Sequence, residues 1–287
     1  MTVPWQAKII AKIILARLPF QYSFWKKIGI FKHGSMDNSD YAINVFNKHL
    51  KKTNMHGKLK GKVVLELGVG DSIATALLCY ANECRAILVD SGNYVTKDLG
   101  SYTTLIKKLK IAGLPVPDIS KSKNIDDILE SCNAQYYTNG LQDLKKIDSS
   151  SIHFIFSQAV LEHIRKKEFV DTIIETKRIL NPNGICSHEI DLRDHLNESL
   201  NNLRFSEKLW ESNFFAKSGF YTNRIQFKKM IRIFEKQGFD VKLLNVKKWN
   251  KLPINESSLD ALFIDIELEE DLLVKGFEVF LTHKKEI

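Results

Sequence analysis

Two carboxylates and two glycines, close in sequence, are the first residues in this chain whose types and spacing could bind a ligand. Glu66 lies two residues before Gly68, Gly70 follows after Val69, and Asp90 comes 24 residues after Glu66. Glycines spaced this way let the chain turn tightly and let a ligand approach the backbone without meeting a Cβ. A carboxylate beside such a turn suits a ligand carrying a positive charge and an amine. An acid at the distance of Asp90 can accept both hydroxyls of a ribose; its plainer reading is a strand end before the turn Ser91-Gly92. A second set lies further on, with His163 and then Asp191, Asp194 and His195. Histidine can take up a proton near neutral pH, so His195 or His163 could serve as a general base, with Asp191 to orient it.

The neighbouring residues indicate what must hold these groups. Lys62-Val63-Val64-Leu65-Glu66-Leu67 is an apolar run of β-formers, which predicts a strand buried on both faces. A helix follows from about Ile73 to Tyr80, and its N-terminus is expected to present free N–H groups to the same space. Further strands are predicted at Arg85–Asp90, Ala134–Thr138, Ile152–Ser157, Ile185–Asp191, Phe239–Val246 and Val274–Thr282, with helices between most of them. That alternation predicts an α/β protein with ligands at the carboxyl ends of parallel strands. A dinucleotide fingerprint would need a third glycine where Ile73 stands, so a nicotinamide or flavin site fits poorly. Two histidines and three acids fall within residues 188–195, but His188 and Glu189 point to opposite faces of a strand. No metal is therefore expected.

The pattern Glu66-x-Gly68-x-Gly70 resembles the first motif of class I S-adenosylmethionine-dependent methyltransferases, with Ser72 where those often have a third glycine. Val160-Leu161-Glu162-His163 after the fourth strand, and Arg178, Leu180, Pro182 and Gly184 beyond the next helix, extend the resemblance to members acting on small molecules. The whole is similar to methyltransferases of bacterial surface-polysaccharide pathways. The resemblance covers about residues 59–192 and the terminal helix and strands. It implies a Rossmann-like fold, a seven-stranded mixed sheet with helices on both faces and its last two strands antiparallel at one edge. It implies S-adenosyl-L-methionine as cofactor and S-adenosyl-L-homocysteine as product. Glu66, Gly68, Gly70, Asp90, Ser91, Gly140, Leu141, Gln142, Ser157 and Gln158 are the cofactor-binding candidates. The family often places an acid where Gly140 stands, and the Leu141 backbone and Gln142 are the substitutes.

At 287 residues, with 44% apolar and 26% charged residues, the chain has the composition of an ordinary soluble protein. Cys79, Cys84, Cys132 and Cys186 form no Cys-x-x-Cys pair, which indicates reduced core thiols and a cytoplasmic setting. Residues 1–36 hold six of the chain's cationic side chains and no acid, so six of the net eight positive charges lie there. The remainder is nearly neutral, which argues against nucleic acid as a partner. Residues 1–57 read as a basic, amphipathic helical extension and residues 58–287 as the catalytic domain, with insertions at about 91–132 and 196–224. Within residues 4–31, apolar and aromatic side chains at helical spacing among lysines suit packing on the body, a contact between copies of the chain, or the inner face of a membrane. The first insertion is long enough for a lid or acceptor site. The second, with Trp210, Phe214, Phe215, Phe220 and Tyr221, is either a satellite core or a stacking platform for sugar. The acceptor expected from these features is a hydroxyl of a saccharide, or a small aromatic or lipid-like molecule. A non-catalytic binding protein on the same scaffold is the alternative from another class.

Overall fold

The computed structural model describes residues 4–18 and 34–285. Seven strands form one sheet: β1 Val63–Leu67, β2 Arg85–Val89, β3 Gln135–Tyr137, β4 Ile152–Gln158, β5 Leu180–Asp191, β6 Phe239–Lys248 and β7 Val274–His283. Their order is β3-β2-β1-β4-β5-β7-β6, with β7 antiparallel, which is the class I methyltransferase arrangement. β1 runs parallel to both β2 and β4, with Glu66 level with Leu88 on one side and Phe156 on the other. This central position explains its largely apolar sequence, interrupted only by Glu66, since both faces are covered and no alternation is required.

The packed chain divides into two compact units, one of Lys32–Gln158, Thr172–His188 and Phe280–Ile287, the other of Met1–Phe31, Ala159–Asp171 and Glu189–Val279. In the first, helix Ser39–Lys52 starts at Asn38, whose side chain accepts the N–H groups of Asp40 and Tyr41. That cap satisfies two donors with no partner inside the helix. Its Ala42, Val45, Phe46 and Leu50 are buried in one core with Val64, Leu77 and Phe154. The helix before residue 57 shares the core that holds β1. The connection over residues 91–132 is anchored on the same core. Tyr102, Leu105 and Leu109 of helix Gly100–Ile111, and Ile128 and Leu129 of helix Ile125–Ser131, are buried in it. Over these two helices the expected lid is a wall, and residues 112–115 between them are exposed.

In the second unit, helix Trp5–Leu15 lays Ile9 into a small core with Leu196, Trp210, Phe215, Phe220 and Tyr221, and Trp5 and Ile13 pack against it. Trp210 is fully covered, and its indole N–H donates to the Thr222 carbonyl at 2.7 Å. Of the aromatic residues proposed as a sugar platform, only Phe214 is half exposed, and Arg17 covers it with a guanidinium 4.0 Å from the ring centre. The second insertion is a satellite core. Ile10 and Ile14 on the helix remain exposed. The rest of the segment considered for membrane contact, from residue 19 to 31, lies outside the described residues. No helix among the described residues is long and apolar enough to cross a membrane.

One boundary differs from expectation by several residues. β5 begins at Leu180 rather than Ile185, so the expected turn Asn181–Gly184 is extended chain. The Leu180 carbonyl accepts from the His283 ring at 3.0 Å, and Asn181 donates its side-chain N–H to the Ser150 carbonyl. Packing favours Gly184 there, since a Cβ would meet the Asn181 backbone carbonyl oxygen at 2.9 Å. The four cysteines are free and buried.

Candidate functional site

The carboxyl end of β1 opens into a turn in which Gly68 and Gly70 have φ of +73° and +64°. Side chains with a Cβ avoid that left-handed region, so both glycines are set by backbone geometry. Asp90 fixes the turn. Its Oδ2 accepts the Gly70 N–H at 2.8 Å and its Oδ1 the Ser91 N–H at 2.6 Å. Its backbone carbonyl accepts the Gly140 N–H and its own N–H reaches the Tyr137 carbonyl. Asp90 thus ties together the ends of three strands. Desolvation raises its pKa, and the N–H groups of Gly70 and Ser91 partly offset that. Each carboxylate oxygen still has a lone pair for a ribose hydroxyl, so the two readings of Asp90, as strand end and as ligand group, coexist.

Glu66 is different. It is 2% exposed, its Oε2 meets no protein donor, and burial raises its pKa to about 8, with Thr75 opposing the shift. The ligand-free protein therefore holds a proton on a buried acid. An unpartnered buried carboxyl costs free energy, and a ligand bringing a cation or an amine would relieve it.

At the start of the helix after the turn, Ala74–Ala81, two N–H groups expected to be free are taken. The Tyr102 hydroxyl takes the N–H of Ile73 at 3.3 Å, and Ser72 Oγ takes that of Ala74 at 3.2 Å. Ser72, read in sequence as a missing glycine, lies one residue before the N-cap Ile73, and its hydroxyl ties down the first helical N–H. A pyrophosphate needs such N–H groups open. Their closure speaks against a dinucleotide and suits a ligand without phosphate at that end.

The remaining cofactor candidates divide. Gly140, with φ of +50°, starts the short helix Leu141–Leu144, and Ser91 and Gln142 are exposed beside or after it. The nearby acid is Asp143, which sequence reading passed over. It is committed to Asn139, whose backbone and side-chain N–H groups it accepts, and to Lys146. Ser157 is buried, and its hydroxyl faces His188 Nδ1 at 2.7 Å, so it lines the interior rather than a cavity. Burial lowers the pKa of His188 to about 3, which keeps it neutral. Gln158 holds a buried Oε1 with no partner.

The second set of candidates converges in part. His163 and His195 meet Nε2 to Nε2 at 2.9 Å, with rings 21° apart. His163 Nδ1 lies 2.8 Å from the Tyr221 carbonyl. A carbonyl only accepts, so that nitrogen carries the proton, and in the neutral ring Nε2 is then an acceptor. His195 must donate its Nε2–H to it, leaving His195 Nδ1 with a lone pair. Desolvation by the surrounding protein lowers both pKa values, with His195 adding to the effect on His163. Both rings keep solvent access. His163 is saturated and positions its neighbour, and His195 is the one with a vacant nitrogen.

Asp191 does not orient either ring by contact. Its carboxylate pairs with Arg193 at 2.6 Å. Asp194, expected at the acceptor, instead folds the loop after it. One carboxylate oxygen accepts the N–H groups of Leu196, Asn197 and Ser199, and the other that of Asn201. Glu189 is turned to Lys247. Each acid of residues 188–195 thus has its own partner. No group of three metal-ligating side chains gathers among the described residues. The Tyr221 carbonyl that sets the tautomer carried no sequence signal, because any residue type supplies it.

No family model matches this chain, and no curated protein matches it in sequence. Solved structures resemble it at low identity. One is a phosphoethanolamine N-methyltransferase 2 from Haemonchus contortus, solved with phosphomonomethylethanolamine and S-adenosylhomocysteine. It is 15% identical at a TM-score of 0.49, over 99% of this chain and 61% of that one. The chain thus spans about three fifths of that relative's length. A SAM-dependent methyltransferase from Archaeoglobus fulgidus is 14% identical at a TM-score of 0.44, over 84% of this chain and 94% of that one. An arsenic(III) S-adenosylmethionine methyltransferase from Chlamydomonas reinhardtii is 16% identical at 0.41, over 79% and 64%.

Proposed function

We propose that this chain is an S-adenosylmethionine-dependent methyltransferase that methylates a hydroxyl of a small acceptor. One observation carries the cofactor: Glu66 is a buried acid with an unmet oxygen, beside a turn in which two glycines take positive φ. S-adenosylmethionine brings an amine and a sulfonium cation and has no phosphate to place at a closed helix start. When bound, it supplies an electrophilic methyl group. Glu66 would give up its proton to face that charge, Asp90 would accept the ribose hydroxyls, and Gly68 and Gly70 would admit the ligand to the backbone.

A hydroxyl acceptor follows from His195. An alcohol must lose a proton as its oxygen becomes methylated, and a neutral imidazole with a free nitrogen is suited to take it. In this reading His195 Nδ1 receives the proton. His163 holds the donor side of that ring, and the Tyr221 carbonyl holds His163. The negative charge of Asp191 favours the resulting imidazolium without touching it, since both Asp191 and Asp194 oppose the fall in the His195 pKa. A saccharide hydroxyl belongs to this acceptor class, although Trp210, Phe215 and Phe220 are closed packing and not its platform.

The deciding measurement is thermal unfolding with S-adenosylhomocysteine, and with NADH as control. At a hundred times its dissociation constant a ligand stabilises the folded form by about 2.7 kcal/mol, a rise of roughly 5–10 °C for a chain of this size. A rise with the homocysteine nucleoside alone supports the cofactor. No rise at saturation would leave a binding scaffold of the same fold as the better reading.

A further inference from the structure

Among the described residues, Lys12 is a cation beside His195 that the protein holds only weakly. Helix Trp5–Leu15 and its end carry Lys8, Lys12 and Arg17. Lys8 Nζ is anchored at 2.6 Å to the Leu196 carbonyl and 2.5 Å to Asn197 Oδ1. Arg17 donates to the Ile13 carbonyl at 2.5 Å and to the Phe214 carbonyl at 2.8 Å. Lys12, between them, reaches only the His195 carbonyl at 3.5 Å and the Gly219 carbonyl at 3.4 Å. Those distances are at the limit of a hydrogen bond, and an ammonium has three donors. The acids around it are already used, Asp191 by Arg193 and Asp194 by four backbone N–H groups. Lys12 forms no ion pair among the described residues.

Its charge is nonetheless felt. Burial and the neighbouring Lys8 lower its own pKa, against the pull of Asp194, and its charge helps to keep His163 and His195 neutral. A half-buried cation with weak contacts is costly until an anion arrives. Lysine binds such groups as a point charge on a flexible stem.

We propose that Lys12 anchors an oxyanion, a carboxylate or a phosphate, on the molecule whose hydroxyl His195 deprotonates. This rests on the methyl-transfer reading of His195 and adds a substrate class to it: a hydroxyl compound that carries an anionic group. Lys8, held by two short bonds, supports the helix and does not take part. The geometry separates the two tasks, with Lys12 holding charge and His195 handling the proton.

The test follows the histidine Cε1–H signals by NMR while inorganic phosphate and acetate are added in separate titrations. The wild type should give a saturable shift of the His195 signal with at least one anion, and a rise in the His195 pKa as the anion offsets Lys12. Phosphate alone would indicate a phosphorylated acceptor, and acetate alone a carboxylated one. Lys12→Met should lose the response and start from a higher His195 pKa, while Lys12→Arg should keep the response. With a matching acceptor, Lys12→Met should raise KM roughly tenfold to a hundredfold, with kcat changed much less. No saturable shift with either anion, or the same shift in Lys12→Met, overturns the proposal. Unfolding with S-adenosylhomocysteine is run on the same samples. A wild type that binds anion at Lys12 but not the nucleoside would sink the methyl-transfer reading and leave the anion site standing. Unaltered unfolding midpoints in both variants without ligand show that the fold is kept.

Discussion

Glu66 and Glu162 form a natural pair for comparison. Both are almost fully buried, both are raised to a pKa of about 8 by burial, and each has one oxygen that meets no protein donor. Their settings differ. Glu162 uses its other oxygen to accept the Asp191 N–H at 3.2 Å, and so helps to fix the end of β5. Glu66 sits at the end of the central strand, against a turn whose backbone groups are already taken by Asp90. Two acids with the same titration therefore carry different expectations, one as a strut and one as a ligand group. Burial and a shifted pKa do not by themselves separate a site from a support. The surrounding backbone does.

The comparison extends to the regions around them. The region of Glu66 is built mostly from short-range relations: a strand, a glycine turn, a cap and one acid from the next strand. The region of Glu162 draws on residues 12, 163, 195 and 221, far apart in sequence. The largest expected effect tests this second region. His195→Ala should slow methyl transfer to a hydroxyl by about 10²–10⁴-fold, the usual worth of a general base. It should leave the thermal shift with S-adenosylhomocysteine unchanged. His163→Ala should fall by less, because it removes the partner that fixes the tautomer and not the vacant nitrogen. Equal losses in the two variants would show that the pair acts as one unit and that the assignment to Nδ1 of His195 is wrong.

These two regions also show why part of the site could be read in advance. Glu66, Gly68, Gly70 and Asp90 are legible because their signals are local: positive φ favours glycine, a central parallel strand calls for an apolar run, and an acid near the end of such a run stands out. The sheet was legible for the same reason. The roles of Ser72 and Tyr102 were not, because capping a helix start with a side chain from 29 residues on depends on packing. His163 and His195 could be named as candidates, but their contact and their tautomer are set by the Tyr221 carbonyl. The aromatic run at 203–221 has the composition of a sugar site and the environment of a core. Composition alone could not tell these apart.

Substituting the two acids breaks the comparison most directly. Glu66→Gln copies the protonated acid, so the ligand-free protein should match the wild-type unfolding midpoint near pH 4 and exceed it at pH 7, where the unfolded wild type gains by ionising. Its affinity for S-adenosylmethionine should fall roughly tenfold to a hundredfold, the worth of a hydrogen bond to a charged group. Glu162→Gln should change the midpoint in the same way and keep the affinity. Calorimetric titration of the two variants gives the comparison, and equal affinities would remove Glu66 from the site.

The pH dependence sharpens the same contrast. Both acids have folded pKa values raised to about 8, above the ordinary value of 4.5. The folded state therefore binds more protons than the unfolded one between those limits. Their contribution to stability is fully present below about pH 4.5 and is lost as pH rises towards 8. Urea unfolding without ligand should show a component of stability that declines over this window, smaller in each Gln variant and smallest in the double variant. Cofactor affinity should move in the opposite direction. If Glu66 loses its proton on binding, affinity rises with pH up to about 8 in the wild type and in Glu162→Gln, and is flatter in Glu66→Gln.

The smallest effect concerns Ser72, where this chain departs from the glycine its resemblance would supply. Ser72 Oγ accepts the Ala74 N–H, and loss of a capping bond of this kind costs about 0.5–2 kcal/mol. Ser72→Ala should therefore lower the unfolding midpoint by roughly 2–4 °C per kcal/mol lost. The same substitution frees an N–H at the helix start. If closure of that end is what disfavours a dinucleotide, Ser72→Ala and Tyr102→Phe together should let NADH or NAD+ raise the midpoint, which neither is expected to do in the wild type. If the double variant loses stability yet still ignores both ligands, the serine is only a cap. Discrimination against a dinucleotide then lies with Ile73, whose side chain is fully buried where a third glycine would allow the helix to sit closer to the strand.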